Sequence, residues 1–146
     1  MIPSVVPAAC GIMLAAVLAA PAAAATSPAA RACPSASLVN ATLGTHLRTA
    51  VATHYLTYPK ICTYPGGLGL TKITFQQDTA ATFAAGEKAA ASRLGAKLVK
   101  KVTVAGHPAW TTNLGDLYVF DGNQTIKILA AGTATTKLEA LAKKLL

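Results

Sequence analysis

The stretch LVKKVTVAGHPAWTTNLGDLYVFDGNQTIKILA, residues 98–130, decides the fold of this chain. It contains four short runs rich in valine, threonine, isoleucine and aromatic residues, a composition typical of β-strands. Breaks at residues 105–107, at Gly115 and at residues 121–123 separate the runs, and Asp-Gly in the last break is a strong signal for a tight hairpin. The stretch therefore predicts a four-stranded antiparallel meander, with strands at residues 98–104, 108–114, 116–120 and 125–130.

Three helices are predicted around the meander from capping residues and apolar spacing. The first runs through residues 37–44, and the second, rich in alanine, covers residues 79–94. The third covers residues 136–146, where leucines recur at helical spacing. A further strand is predicted at residues 70–75, and residues 45–58 are expected to form an extended strand or an ordered loop.

These elements predict an α+β fold in which helices cover one face of a single antiparallel sheet. Trp110 is the one tryptophan of the chain and should contribute the largest ring to the core. The alanines of the second helix leave room for a cavity between this helix and the sheet, although they equally permit close packing.

The N-terminal residues are typical of an export signal. Residues 11–20, GIMLAAVLAA, have the length of a signal-peptide core, and small residues follow at 22–25. This run is too short and too rich in alanine for a comfortable membrane span. We expect a signal peptide at residues 1–25, a flexible lead-in at 26–32 and one exported domain at 33–146, with no transmembrane segment in the mature chain. The first ten residues lack Lys and Arg, which indicates an atypical signal or a misplaced start.

Cysteine usage also indicates an oxidising compartment. Cys10 would leave with the signal peptide, so the mature chain would keep Cys33 and Cys62, which most simply form one disulfide. Cys62 lies in PKICTYPGGLGL, residues 59–70, whose glycines do not have the spacing of a phosphate-binding loop. We interpret this segment as a disulfide beside a turn rather than as a nucleophile or a phosphate site.

The chain is strongly basic, with 13 Lys and Arg against 5 Asp and Glu and a formal charge of +8. This excess favours an anionic partner: a cell-wall polymer, a lipid headgroup or an acidic protein. Nucleic acid is disfavoured because the basic residues are spread out and no stretch interleaves them with stacking rings. The candidate anionic-partner patch consists of Lys97, Lys100, Lys101, Lys143 and Lys144.

Motifs for catalysis, metals and cofactors are missing from the sequence. The three histidines, His46, His54 and His107, are too widely spaced for a local metal motif. The sequence contains no GxSxG, HExxH or SxxK, and five acids offer few carboxylate pairs. We therefore expect neither a metal nor a cofactor, and an enzyme is the last of the function classes considered.

Several short motifs stand at characteristic places along residues 32–146: Ala-Cys-Pro at 32–34, Leu-Gly at 43–44, Cys-Thr-Tyr at 62–64, VAGHPA at 104–109 and LAKKLL at 141–146. Together with the alanine-rich helix they resemble small secreted proteins and lipoproteins of actinobacteria that are grouped as domains of unknown function. The resemblance implies an exported α+β domain and supplies no catalytic residues. The chain departs from the lipoprotein members because no cysteine stands where a lipid would be attached, which argues against membrane anchoring.

The leading functional hypothesis is a secreted, non-enzymatic binding domain that acts at or outside the cell envelope, on an anionic partner. One alternative is a carrier of a small apolar ligand, held between the helix and the sheet. The other is a secreted enzyme inhibitor, in which residues 53–60 would form the presented loop with His54, Tyr55 and Tyr58.

Overall fold

The computed structural model describes residues 31–54, 60–67 and 69–146. The predicted signal peptide and residues 26–30 of the predicted lead-in lie outside them. Within the described residues the chain forms three α-helices and seven strands, with a short 3₁₀ turn at Ala96–Leu98. In chain order they are α1 (Ala36–Leu43), β1 (Val51–His54), β2 (Lys60–Tyr64), β3 (Thr71–Gln77), α2 (Ala80–Leu94), β4 (Val99–Val104), β5 (His107–Thr112), β6 (Asp116–Phe120), β7 (Gln124–Ala130) and α3 (Thr135–Leu145).

All seven strands belong to one antiparallel sheet with the order β1-β2-β3-β7-β6-β5-β4. The predicted α+β class and the four-stranded meander of β4 to β7 are confirmed. Strands β1 to β3 form a second meander, and β3 joins it to the first by pairing with β7. Strand β2 contains Cys62 and was not expected from the sequence, where this segment was interpreted as a disulfide beside a turn.

The larger core lies under α1 and α3. Buried residues from neighbouring strands, among them Leu117, Ile126 and Ile128, pack there against α-helical leucines such as Leu138 and Leu141. Because neighbouring residues of a strand point to opposite faces of a sheet, Leu117 and Tyr118 mark the two faces of β6. The α1–α3 side is therefore the closed, apolar face of the sheet.

A second, smaller core lies on the opposite face under α2. Phe83 of α2 is buried there against Trp110 and Phe120. The structure thus differs from the prediction in one respect: helices cover both faces of the sheet rather than one. The physical reason is that β5 and β6 carry aromatic side chains on the face opposite the main core, and α2 buries its phenylalanine against them.

The predicted disulfide between Cys33 and Cys62 is confirmed, with Cα atoms 5.6 Å apart. It ties the start of the domain to β2, and two further contacts hold the same segment. The hydroxyl of Tyr64 donates to the carbonyl of Pro34 (2.8 Å). Arg31, in the predicted lead-in, forms an ion pair with Asp121 (2.6 Å). Residues 31–34 are therefore fixed against both halves of the sheet.

Tyr64 should make stability fall in strong alkali. Its side chain is 1% exposed, and burial raises its pKa from 10.0 to about 12. Between these values the unfolded chain ionises Tyr64 while the folded chain keeps it neutral, so rising pH favours unfolding. We expect the free energy of unfolding to fall by about 1.4 kcal/mol per pH unit from about pH 10 to pH 12, measured by urea titration.

The matched control for this prediction is Tyr64→Phe. Phenylalanine keeps the ring but cannot ionise, so this part of the pH dependence should vanish in the variant. An equally steep loss in both proteins would assign the effect to other groups.

Candidate functional site

The lysines at the start of the meander do not share one surface. Lys97 and Lys100 line a small depression beside the start of β4. Lys101 follows Lys100 in the strand and so points to the opposite face, where its Nζ lies 3.5 Å from Oε1 of Glu87 on α2. Lysine is common on edge strands such as β4, where it discourages pairing with other chains.

The lysines at the end of α3 lie apart from this depression. The helix starts at Thr135, beside Lys97 and Lys100, and Lys143 follows eight residues later, or roughly 12 Å along the axis. Nζ of Lys144 donates to Oγ1 of Thr42 on α1 (3.0 Å). The fold therefore distributes the five predicted lysines over separate places and does not assemble them into one patch.

The predicted inhibitor loop falls largely outside the described residues. Tyr55 and Tyr58 belong to the segment 55–59, which the structure does not describe, and His54 is the last residue of β1. The interpretation of this segment as a presented loop stays a prediction.

A groove of about 360 Å³ lies between α2 and the sheet, on the face opposite the main core. Its floor comes from four adjacent strands, β3, β7, β6 and β5, and one wall is α2 from Thr82 to Arg93. The eleven rises between these two residues correspond to a length of roughly 16 Å. Gly86, Ala89 and Ala90 keep the helical wall low, so the groove lies where the alanines of this helix allowed a cavity.

Aromatic rings form the base of the groove. Trp110 and Tyr118 are cross-strand partners whose rings stack with centroids 3.6 Å apart and an interplanar angle of 11°. Phe83 adds an apolar wall from α2. The indole N–H of Trp110 is buried and has no acceptor among the described residues, an uncommon state for a buried donor.

Two cations point into the groove without carboxylate partners. Lys127 is the cross-strand neighbour of Tyr118, and its Nζ lies 4.9 Å from the centre of that ring. Arg93 lines the same groove from the last turn of α2. Neither side chain forms an ion pair with any carboxylate of the described residues. One end of the groove is therefore positively charged.

The opposite end of the groove is polar, and its carboxylate has hydrogen-bond partners within the protein. Asp78 accepts hydrogen bonds from the backbone N–H of Thr79 (2.8 Å) and from the hydroxyl of Thr125 (2.6 Å). Gln76 and Thr82 complete this end. These hydrogen bonds hold Asp78 in place without removing its negative charge, so the groove carries two cations at one end and one carboxylate at the other.

A larger depression of about 540 Å³ lies beside the start of α3, and the one lysine in its lining is already engaged. Its lysine, Lys137, donates to the carbonyl of Leu43 at the end of α1 (3.0 Å). The lysine there caps a helix end, so we take the groove under α2 as the candidate site.

The sequence indicated the place of this site but not its charged residues. Lys127 carries a recognisable signal, because it stands between the buried residues Ile126 and Ile128 and must point away from the main core. Arg93 carries no such signal, since a basic residue in the last turn of a helix is explained by the helix dipole alone. Only the packing of α2 on the sheet brings the two together.

The described residues hold no cluster of three or more histidine, cysteine, aspartate or glutamate side chains that could bind a metal ion. Within the same residues, none of the helices has the length and apolar character needed to cross a bilayer.

Comparisons with protein-family models, with curated protein sequences and with solved structures found no match for this chain. The resemblance to secreted actinobacterial proteins therefore stays a prediction, and the function has to be inferred from the groove itself.

Proposed function

We propose that this protein is an exported, non-enzymatic binding domain that holds a small amphipathic anion in the groove between α2 and the sheet. The observation that carries the proposal is the pair Arg93 and Lys127, which line one groove and have no carboxylate partner among the described residues. The anionic group of the ligand would lie between these two cations.

The remaining walls suit the apolar part of such a ligand. Phe83, Tyr118 and the small residues Gly86 and Ala90 also line the groove and offer apolar surface. A volume of about 360 Å³ falls within the usual range for small-molecule sites. A wholly apolar ligand would remove water from Arg93 and Lys127 without replacing it, which costs free energy. An amphipathic anion therefore fits better than the purely apolar ligand of the carrier hypothesis.

Binding is proposed rather than catalysis because the groove offers little acid–base chemistry. Its one carboxylate among the described residues, Asp78, already accepts two hydrogen bonds from the protein. General acid–base catalysis needs a group free to exchange a proton with the substrate.

Export to a secreted or envelope-associated location forms part of the proposal and rests on two features. The Cys33–Cys62 disulfide is compatible with an oxidising compartment. The signal-like residues 1–25 agree with it. Anionic amphipaths are available at a cell envelope, where such a domain would meet its ligand.

Octanoate is a suitable probe, with the neutral alcohol 1-octanol as the matched compound without charge. Trp110 is the single tryptophan and lines the groove, so its fluorescence reports binding directly. We expect octanoate to change this fluorescence saturably and octanol to bind at least about tenfold more weakly, a difference of about 1.4 kcal/mol. The affinity for octanoate should also fall as salt screens the cations.

Three variants test the location of this site. Arg93→Gln with Lys127→Gln should weaken octanoate at least about tenfold, and Gly86→Leu should block the groove sterically. Lys88→Gln is the control, because Lys88 lies on α2 but does not line the groove. No saturable signal with the unmodified protein, or equal affinities in all variants, would contradict the proposal.

A further inference from the structure

One end of the sheet collects the exposed apolar side chains of the described residues. The register places the start of β3, the end of β7, the start of β6, the end of β5 and the start of β4 at the same end. Among the described residues, the large hydrophobic side chains that remain exposed all lie at this end: Val51 (60%), Leu70 (48%), Leu94 (37%), Leu98 (39%) and Leu114 (56%).

The four leucines, Leu70, Leu94, Leu98 and Leu114, will be called the leucine end. Leu94 is the last residue of α2, and the other three stand on connections between elements. The backbone N–H of Asn113 donates to the carbonyl of Leu98 (3.2 Å), which joins the β5–β6 turn to the segment after α2.

The β5–β6 turn and the connection before β3 both lie close to the segment that follows β7. A Cβ at Gly115 would lie 2.8 Å from the carbonyl oxygen of Ala130, and one at Gly69 would lie 3.6 Å from Cβ of Ala131. Leu70 and Leu114 therefore flank the same short segment after β7. The four residues of the leucine end therefore lie on neighbouring segments of the chain.

Basic residues surround these leucines. Arg93 and Lys97 stand beside Leu94 and Leu98 in the chain, Lys100 lies two residues after Leu98, and Lys72 lies two residues after Leu70. None of the four cations forms an ion pair within the part of the chain that the structure describes. The leucine end therefore combines exposed apolar side chains with unneutralised positive charge.

The carboxylates lie mostly elsewhere. Asp78 and Asp121 follow the opposite ends of β3 and β6, and Glu87 is paired with Lys101 in the middle of α2. Asp116 stands at the leucine end, where one of its oxygens is buried. The fifth acid, Glu139, lies in α3 four residues after Thr135, which lines one depression with Lys97 and Lys100. Three of the five acids thus lie away from the leucine end, which keeps an excess of positive charge.

We propose that the leucine end docks onto an anionic lipid bilayer. Leucines at connection tips can enter the boundary between headgroups and acyl chains, and the surrounding Lys and Arg side chains would lie at the level of the anionic headgroups. Charge complementarity selects this partner, because four cations without ion pairs among the described residues flank the four exposed leucines. The inference is independent of the ligand proposed for the groove, although Arg93 lies at both.

Cosedimentation with vesicles tests this proposal. Vesicles of equal parts phosphatidylcholine and phosphatidylglycerol should bind the protein, vesicles of phosphatidylcholine alone should bind it at least tenfold more weakly, and binding should decrease between low salt and about 0.15 M. Leu98→Ser with Leu114→Ser, and separately Lys97→Gln with Lys100→Gln, should each reduce binding to anionic vesicles at least tenfold. Both pairs are on the surface, and far-ultraviolet circular dichroism verifies their folding.

The matched control is Lys143→Gln with Lys144→Gln, which removes the same charge from the far end of α3 and should change binding less than twofold. All variants keep the same N-terminal residues, so differences among them report on the leucine end alone. In Leu114→Trp, the added fluorescence should shift to the blue with anionic vesicles and be quenched by brominated lipid, whereas the unmodified protein should show neither change.

Three results would overturn the proposal. One is the absence of binding to anionic vesicles at low salt. The second is an equal loss with the Lys143 and Lys144 variant, which would show that diffuse charge alone is responsible. The third is self-association in sedimentation velocity that the leucine variants abolish without any vesicle binding, which would assign the surface to a second copy of the chain.

Discussion

Replacing Trp110 with alanine should lower the free energy of unfolding by about 3–5 kcal/mol, the range measured for large aromatic truncations in protein cores. The side chain is 4% exposed and stacks on Tyr118, while Phe83 packs against it from α2 at a centroid distance of 6.4 Å. Phe83 is the one buried residue of α2 and packs against Trp110 and Phe120, so removal of the indole takes away one of the two rings that hold this helix on the sheet.

Urea titration followed by far-ultraviolet circular dichroism measures this loss, since the variant has no tryptophan to report by fluorescence. Trp110→Phe is the control, because phenylalanine keeps a ring against Tyr118 and should recover at least half of the lost stability. Hydrogen exchange should show the α2 amides of Trp110→Ala opening before those of α3, which packs on the other face. A loss below about 1 kcal/mol would contradict the buried position of Trp110 and its role in the second core.

A loss of this size is large relative to the total stability of a small domain, which is typically about 5–15 kcal/mol. The same indole lines the proposed ligand groove. Ligand binding should therefore also stabilise α2, and octanoate should raise the urea midpoint of the unmodified protein by an amount that grows with its concentration.

The strands of the sheet could be predicted where apolar and polar side chains alternate regularly along the sequence. In β7, Ile126 and Ile128 point to the main core and Lys127 points away from it, as a strand with two different faces requires. Strand β2 was missed because the cysteine and the glycines that follow it indicated a disulfide and a turn more strongly than a strand. Its identity as a strand depends on its pairing with the neighbouring strands β1 and β3.

The position of α2 could not be predicted from the helix alone. Two residues, Asp78 and Thr79, connect β3 to α2, and a connection of this length allows the helix to lie on either face. The aromatic residues Trp110 and Phe120 determine which face α2 covers. That these two residues share a face follows only from the register of β5 and β6.

The predicted lysine patch shows a different error, one of interpretation. Lys100 and Lys101 are adjacent in a predicted strand, so strand geometry places their side chains on opposite faces. The sequence therefore already argued against treating them as one surface. Arg93 and Lys127 are 34 positions apart in the sequence, and only the tertiary structure places them in one groove.

Removal of the disulfide has the other large expected effect. The bridge joins residues 29 positions apart, and the chain-entropy model assigns a loop of this length about 3.5 kcal/mol. Cys33→Ala with Cys62→Ala should therefore lose roughly that amount in urea titration, most of it through the greater freedom of the unfolded chain. The native fold should persist, because Tyr64 still donates to Pro34 and α1 still packs through Val39.

Reduction of the unmodified protein distinguishes the contribution of the covalent bridge to stability from that of the two cysteine side chains. The reduced protein should be destabilised slightly less than the double alanine variant, because it keeps the fully buried Cys62 side chain in the core. Dithiothreitol should have no effect on the variant itself. If octanoate still binds the variant with unchanged affinity, the disulfide acts on stability and not on the groove, which lies on the other face of the sheet from Cys62. A loss below about 1 kcal/mol on reduction would instead mean that the contacts of Tyr64 and Arg31 already restrain the N-terminal segment without the bridge.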